Sequence, residues 1–281
     1  MPTFTNKATL TYNGRSIDSN TVTGTFAETL TVFKNAPLDR YTQNSTLTYT
    51  VSLINSGTAL TNLTLTDDLG AYPFGAETLY PLAYVTDSVA YYVNGVLQPT
   101  PTVEQEQPLV IRDITLPAGS NAVVVYSATV TDEAPLSSGS SIVNTVTVGG
   151  GPLDAPSASE TVTVLDEASL TITKGLFPTT VPENGNLTYT FTIQNTGNTP
   201  AVATDNLVVT DLFDPILEIT SVTLDGEALA EGTGYTYNPA TGEFATVAGV
   251  VTVPAATFTQ QPDGSYTVTP GVSVLTVSGR I

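Results

Sequence analysis

Two sets of side chains in this sequence have the residue types and spacing needed to form a covalent bond between a lysine and an asparagine. The chain contains only three Lys residues, and two of them alternate with apolar residues in equivalent segments. In two other segments of each repeat, an Asp and an Asn likewise alternate with apolar residues, so each lies on the apolar face of its own segment. The sets are Lys34, Asp67 and Asn144, and Lys174, Asp211 and Asn6.

Burial would prepare these groups for reaction. An apolar environment lowers the pKa of a Lys amine, so that it can be neutral and nucleophilic, and raises the pKa of a carboxyl. The protonated carboxyl can hydrogen-bond a carboxamide and carry its protons. Held in contact, the amine could displace ammonia and form an isopeptide bond, with proximity supplying most of the acceleration. A buried Lys–Asp salt bridge beside a hydrogen-bonded Asn is the alternative.

Short alternating segments rich in Thr, Val, Leu and Tyr must position these side chains. Residues 45–51, 122–130 and 187–193 are examples, and Gly, Pro, Asn and Asp separate such segments. Alternation with a period of two predicts β-strands with one buried face. We therefore expect an all-β fold of two tandem Ig-like antiparallel β-sandwiches.

An internal repeat defines the domains. Residues 30–34 match 170–174 and residues 47–50 match 187–190, both at an offset of 140. The repeat predicts a complete sandwich over 30–169, a second sandwich over 170–281 that lacks its last two strands, and an N-terminal segment over 1–29. This segment resembles the two strands that the second sandwich lacks.

The missing strands leave an open sheet edge, which proteins seldom expose. The N-terminal segment could complete its own second sandwich, or enter that of the next molecule and produce a head-to-tail fibre. We favour the fibre, since tandem sandwiches follow one another along an axis; a simple extension packed on the first domain is a further alternative. The predicted donor-strand residues are Phe4, Ala8, Leu10, Tyr12, Val22 and Phe26.

Composition excludes several other classes of function. The chain has no His and no Cys, so the usual zinc, haem and iron–sulfur sites and a Ser-His-Asp triad are impossible. A formal net charge of −19 argues against binding to nucleic acid or anionic lipid. The apolar runs are too short for membrane insertion. We expect no metal, no cofactor and no enzyme activity on an external substrate.

Three motifs follow one another along the chain: Leu-Thr-x-x-Lys ending at Lys34, Leu-Thr-Tyr-Thr followed by Asn-x-Gly, and Thr-Asp ending at Asp67. Together they resemble the bacterial surface repeat known as domain of unknown function eleven. The Lys/Asn/acid trio is also similar to that of the isopeptide-forming domains of Gram-positive pilins and adhesins. This resemblance implies an intramolecular bond from Lys34 to Asn144, assisted by Asp67. It also implies an intermolecular bond from Lys174 to Asn6 of a neighbouring molecule, assisted by Asp211. Asn55 and Asn195, in the Asn-x-Gly triplets, are better explained as turn residues.

These observations predict a self-assembling structural subunit of an extracellular fibre or appendage, on a cell or spore surface, whose partner is another copy of itself. The alternative is a monomeric adhesin or glycan-binding module of a surface stalk.

Overall fold

The computed structural model describes residues 3–25, 30–150 and 155–281, and the fold is all-β, as predicted. The predicted donor residue Phe26 lies outside the described residues. The chain divides into two compact units: Met1–Pro135 with Ser141–Thr163, and Leu136–Ser140 with Val164–Ile281. No helix in the described part of the chain is long and apolar enough to cross a bilayer.

The N-terminal strands form a hairpin in two sections. Its strands are β1 (Thr3–Asn6), β2 (Thr9–Tyr12), β3 (Arg15–Asp18) and β4 (Val22–Thr25). β1 pairs with β4 and β2 with β3, all antiparallel. Asn13 and Gly14 both have positive φ, 48° and 75°, in the two-residue turn between β2 and β3. Asn-Gly is the preferred sequence for such a turn because Gly has no Cβ to oppose this conformation.

The rest of the first unit contains two six-stranded sheets and a short hairpin. Its strands are β5 (Leu30–Asn35), β6 (Arg40–Tyr41), β7 (Thr46–Asn55), β8 (Leu60–Asp67), β9 (Tyr72–Phe74), β10 (Glu77–Leu79), β11 (Leu82–Tyr84), β12 (Ala90–Val93), β13 (Val96–Leu97), β14 (Thr102–Glu106), β15 (Leu109–Leu116), β16 (Asn121–Val130), β17 (Ser141–Gly149) and β18 (Ser157–Val164). One sheet has the order β13-β12-β16-β7-β5, with β11 also on β16. The other has the order β14-β15-β8-β17-β18-β6, and β9 pairs with β10.

Alternation in sequence accounts for the core of this unit. Along β7, Leu47, Tyr49, Val51 and Leu53 are buried, whereas the Thr and Ser residues between them are more exposed. β8, β16 and β17 show the same alternation. The inward rows therefore meet in one apolar core, and polar residues on those rows are buried with them.

The second unit repeats part of this arrangement. Its elements are β19 (Leu170–Phe177), β20 (Asn186–Asn195), a 3₁₀ turn (Ala203–Asp205), β21 (Thr210–Leu212), β22 (Glu218–Leu224), β23 (Glu227–Ala228), β24 (Tyr235–Asn238), β25 (Glu243–Thr246), β26 (Thr257–Gln260), β27 (Tyr266–Thr269) and β28 (Gly271–Arg280). The sheets have the orders β19-β20-β28-β22-β23, β21-β25-β24 and β26-β27. Phe191, Phe213, Phe244 and Leu275 lie in the core.

Strand pairing supports the internal repeat. Lys34 is opposite Val51 in the β5–β7 pair, and Lys174 is opposite Phe191 in the β19–β20 pair, so both pairs have the same register at the offset of 140. The strand corresponding to β15 is β25, because Leu109 is opposite Asp67 and Phe244 is opposite Asp211. The two units therefore place their Lys and Asp residues at equivalent points.

One expectation differs from the structure. Period-two alternation predicts that Leu170, Ile172 and Lys174 face an interior, but all eight residues of β19 are exposed. The corresponding strand β5 has buried residues at every second position. The pattern in β19 is correct for a core strand, but the described residues cover its apolar side chains only in part.

Candidate cross-linking and assembly site

The first unit buries a lysine against an aspartate. Lys34, on β5, donates a hydrogen bond of 2.6 Å from Nζ to Oδ2 of Asp67, at the end of β8. The Lys34 and Asp67 side chains are 0% and 3% exposed. The Nζ atom also lies 5.0 Å from the ring centroid of Tyr49 and 6.0 Å from that of Tyr126. This pair is therefore enclosed by aromatic rings and separated from water.

Asn144, on β17, completes the cluster through a tyrosine. The Tyr126 hydroxyl donates to Asp67 Oδ2 at 2.5 Å and accepts from Asn144 Nδ2 at 3.3 Å. β5 and β17 belong to different sheets, yet their Cα atoms approach within 8 Å. The tertiary structure thus brings together Lys34, Asp67 and Asn144, which are distant in sequence.

Burial moves both ionisable partners toward their neutral forms. Burial lowers the pKa of the Lys34 amine, and the Coulombic attraction of Asp67 opposes this. Burial also raises the pKa of the Asp67 carboxyl, against the charge of Lys34 and the hydrogen bonds that it accepts. A neutral amine beside a protonated carboxyl is the combination that aminolysis of a carboxamide requires.

One polar atom of this cluster, Oδ1 of Asn144, is buried without a hydrogen-bond partner. An unpaired buried carbonyl is costly, since it has lost water without replacement. In the Asn144 carboxamide, the nitrogen is bonded to Tyr126 and the oxygen has no donor. The carboxamide is therefore not stabilised as a structural Asn usually is.

The second unit has the same pair in an open setting. Lys174 forms an ion pair with Asp211, and the side chains are 41% and 16% exposed. The Nζ atom lies 4.3 Å from the ring centroid of Tyr189 and 5.5 Å from that of Phe213. The aromatic surroundings are preserved, but no Asn of this unit occupies the position of Asn144.

One side of β21 has no paired strand among the described residues. In the first unit β8 pairs with β15 on one side and β17 on the other, and Asp67 is opposite Val146 of β17. Within the described residues, β21 pairs only with β25. Three apolar side chains on the same face of β19 as Lys174 are exposed: Leu170, Ile172 and Leu176. The second unit therefore presents a strand with one unpaired side and exposed apolar side chains.

The N-terminal hairpin has a register equivalent to that of the β17–β18 pair. Asn6 is opposite Val22 in the β1–β4 pair, and Asn144 is opposite Glu160 in the β17–β18 pair. Both members of the N-terminal pair lie 138 residues before their counterparts. Asn6 thus occupies the position in its hairpin that Asn144 occupies in β17.

The hairpin has a polar face and an apolar face. Lys7 and Thr9 both donate to Asp18, and the hydroxyls of Thr11 and Ser16 form a hydrogen bond. Its four strands pair only with one another among the described residues. The exposed apolar side chains include five large ones: Phe4, Leu10, Tyr12, Ile17 and Val22. Ala8 is also exposed.

Sequence reasoning missed Tyr126 and Tyr49, which line the first cluster. The available signal was their position on the inward rows of two strongly alternating strands, but an inward Tyr is ordinarily a packing residue. Asn55 and Asn195 are buried turn residues, as expected: each Oδ1 accepts from the backbone N–H two residues later, in Gly57 and Gly197.

The described residues contain no group of three or more Asp or Glu side chains arranged to hold a metal ion. No protein-family model and no curated protein matches the chain, so the resemblance to domain of unknown function eleven stays a prediction.

Several solved structures of Gram-positive surface proteins are similar to this chain. The pilus backbone RrgB of Streptococcus pneumoniae is 12% identical, with a TM-score of 0.36, over 86% of this chain and 55% of that one. The major pilin subunit BcpA of Bacillus cereus is 12% identical, with a TM-score of 0.37, over 95% of this chain and 73% of that one. The 35 kDa C-terminal fragment of the major pilin GBS80 of Streptococcus agalactiae is 14% identical, with a TM-score of 0.35, over 87% and 91%. All three TM-scores are below 0.5, so function is inferred from the site geometry.

Proposed function

We propose that this protein is a self-assembling structural subunit of an extracellular fibre. The N-terminal hairpin of one copy pairs with the open edge of the second unit of the next copy. Because donor and acceptor are different surfaces, the contact is heterologous and repeats along a head-to-tail homopolymer. An extracellular position, on a cell or spore surface, follows from this role.

The observation that supports the proposal most directly is the contrast between the two units. In the first, β17 lies beside β8 and Lys34 is buried; in the second, nothing described pairs with that side of β21, and Lys174 is 41% exposed. The hairpin over residues 3–25 has the matching register and exposed apolar side chains. Strand addition supplies main-chain hydrogen bonds, and the alternate side chains give specificity.

The proposal includes covalent bonds. The neutral Lys34 amine attacks Cγ of Asn144, and the protonated Asp67 carboxyl supplies the proton with which the carboxamide nitrogen leaves as ammonia. The nitrogen of Lys34 then returns a proton to Asp67, so the carboxyl is regenerated. One C–N bond forms, one breaks, and no other reactant is consumed. In the fibre, Lys174 reacts in the same way with Asn6 of the neighbouring copy, assisted by Asp211.

Deletion of residues 1–26 tests the assembly. The shortened chain retains strands β5 to β28 but has no donor hairpin, so it should stay monomeric in sedimentation and electron microscopy while the full chain forms filaments. Added to the full chain, it should shorten the filaments, because it accepts a donor hairpin but offers none.

Three results would contradict the proposal. Filaments of the shortened chain that match those of the full chain would remove the hairpin as donor. A full chain that stays monomeric at every concentration would favour closure within one molecule or a monomeric adhesin. Full-length filaments that do not shorten when the truncated chain is added would remove the open edge as acceptor.

A further inference from the structure

The hydroxyl of Tyr126 lies between the acid and the leaving group of the proposed reaction in the first unit. It is 2.5 Å from Asp67 Oδ2 and 3.3 Å from Asn144 Nδ2. The Tyr126 side chain is buried on β16, stacked on Tyr49 with 5.6 Å between ring centroids. The two polar contacts of this hydroxyl are thus both with groups of the cross-linking site.

We propose that Tyr126 is a catalytic residue of the Lys34–Asn144 bond, relaying a proton from the Asp67 carboxyl to the departing amide nitrogen. This inference rests on the proposed isopeptide chemistry. It adds a participant that neither the repeat pattern nor the Lys/Asn/acid trio contains.

The relay is balanced. After the Lys34 amine attacks Cγ of Asn144, the Tyr126 O–H gives its proton to Nδ2 and receives one from the protonated Asp67 carboxyl. The Cγ–Nδ2 bond breaks and ammonia leaves. The Asp67 carboxylate then takes the surplus proton from the Lys34 nitrogen. Tyr126 and Asp67 end in their starting states, and the products are a secondary amide and ammonia.

The second unit lacks this hydroxyl. Tyr126 is opposite Tyr49 in the β7–β16 pair, whereas Val277 is opposite Tyr189 in the corresponding β20–β28 pair. Phe213 stacks on Tyr189 at 5.0 Å, so the aromatic packing is kept without the phenol. The Lys174 bond therefore forms without the relay and more slowly than the Lys34 bond, which leaves time for a wrongly docked copy to dissociate first.

The experiment uses full-length chain recovered from inclusion bodies in urea and shown by its mass to be unreacted. It is refolded by dilution over a range of pH, quenched in acid with urea at intervals, and weighed by mass spectrometry; each bond removes one ammonia, about 17 Da. Peptide mapping assigns the loss to Lys34 or Lys174. Tyr126→Phe should slow the Lys34 bond about 100-fold, in the range expected for a positioned general acid.

The matched control is Tyr91→Phe in the same unit. Tyr91 is also buried, and its hydroxyl donates to the Thr115 carbonyl at 2.5 Å, away from the cluster. This variant loses the same kind of hydrogen bond and should react at the rate of the unmodified chain. Equal rates for Tyr126→Phe and Tyr91→Phe would overturn the relay.

The pH profile tests whether Tyr126 acts on the acid of the reaction. Burial raises the pKa of Asp67, and the Tyr126 hydrogen bond opposes that rise. Tyr126→Phe should therefore move the alkaline limb of the rate profile, where Asp67 loses its proton, to higher pH; an unmoved limb would mean that the hydroxyl does not contact the acid on which the reaction depends. The other titratable groups around the Lys34–Asp67 pair, unchanged in this variant, are Tyr49, Asp68 and Glu160.

A reciprocal variant covers the case in which Tyr126→Phe does not refold. Leu69 precedes Phe213 by the same 144 residues that separate Asp67 from Asp211, so these two positions are equivalent. The double variant Phe213→Leu with Val277→Tyr therefore gives the second unit the Leu and Tyr that the first unit has at Leu69 and Tyr126. The Lys174 bond in filaments of this variant should form faster than in unmodified filaments, and an unchanged rate would refute the relay. If the unmodified chain loses no ammonia at all, the isopeptide chemistry itself fails, which distinguishes that failure from failure of the relay alone.

Discussion

Replacing Leu10 with Asp on the N-terminal hairpin should abolish filament growth while leaving the monomer folded. Leu10 is 65% exposed in the hairpin, and its counterpart 138 residues later, Val148 on β17, is 0% exposed. Docking of the hairpin on a neighbouring second unit should bury Leu10 as the first unit buries Val148. The substitution therefore removes an apolar contact and places a carboxylate where no partner is provided.

The magnitude follows from these exposures. Burying the exposed two-thirds of a Leu side chain contributes about 1–2 kcal/mol. Burying an unpaired carboxylate in its place costs about 3 kcal/mol more. The combined loss, about 4–5 kcal/mol, corresponds to a critical concentration for assembly raised roughly a thousandfold.

The assay is the protein concentration that remains in the supernatant after filaments are pelleted, with circular dichroism to confirm that the monomer is folded. Thr5→Asp is the matched control: it adds the same charge to the same hairpin, and its counterpart Val143 is exposed in the first unit. Its effect should lie within about 0.5 kcal/mol, as for other surface substitutions. Equal critical concentrations for the Leu10 and Thr5 variants, whether both normal or both raised, would refute the assigned donor face.

Further predictions concern the lysines and their partners. Lys174→Ala should still assemble, but its filaments should fall to monomers when boiled in detergent, whereas unmodified filaments give a ladder; a ladder that survives would exclude Lys174 as the nucleophile. In the Asn144→Ala background, which keeps Lys34 and Asp67 as a free pair, Lys34→Met should lower the free energy of unfolding at neutral pH by about 3 kcal/mol, because Asp67 is left buried without a cation, and adding Asp67→Leu should restore much of this in urea unfolding. The Asn144→Ala variant cannot react, so its Lys34 amine and Asp67 carboxyl can both titrate. Because folding raises the Asp67 pKa, the free energy of unfolding should fall as pH rises from 3.8 through the folded-state pKa of Asp67. Because folding lowers the Lys34 pKa, the free energy of unfolding should rise between the folded-state pKa of Lys34 and pH 10.5. Urea titrations across pH would contradict this if stability rose over the acid range.

Alternation and repetition allowed much of the architecture to be predicted. Period-two alternation in residues 45–51 and 187–193 requires strands with one apolar face, and the structure has the longer strands β7 and β20 there. The offset of 140 located the equivalent lysines, which the strand registers reproduce. These features are local or repeated along the chain, so one sequence contains enough information to identify them.

The Lys34, Asp67 and Asn144 cluster was only partly predictable. Alternation assigned all three side chains to inward rows, because the direction of a side chain in a strand depends on its parity. Parity does not say which rows face one another, nor that a tyrosine from a fourth strand stands between the acid and the amide. The place of Tyr126 depends on the pairing of β16 with β7 and on the packing of one sheet against the other.

The sequence by itself determined the strand periodicity, the repeat and the identity of the reactive side chains, since each is written in residue order. Only the tertiary structure decided that Lys34 is enclosed and Lys174 is open, although both lie in nearly identical local sequences. The reason is that burial is a property of neighbours: β17 lies beside β8 in the first unit, and no described strand takes that place beside β21 in the second.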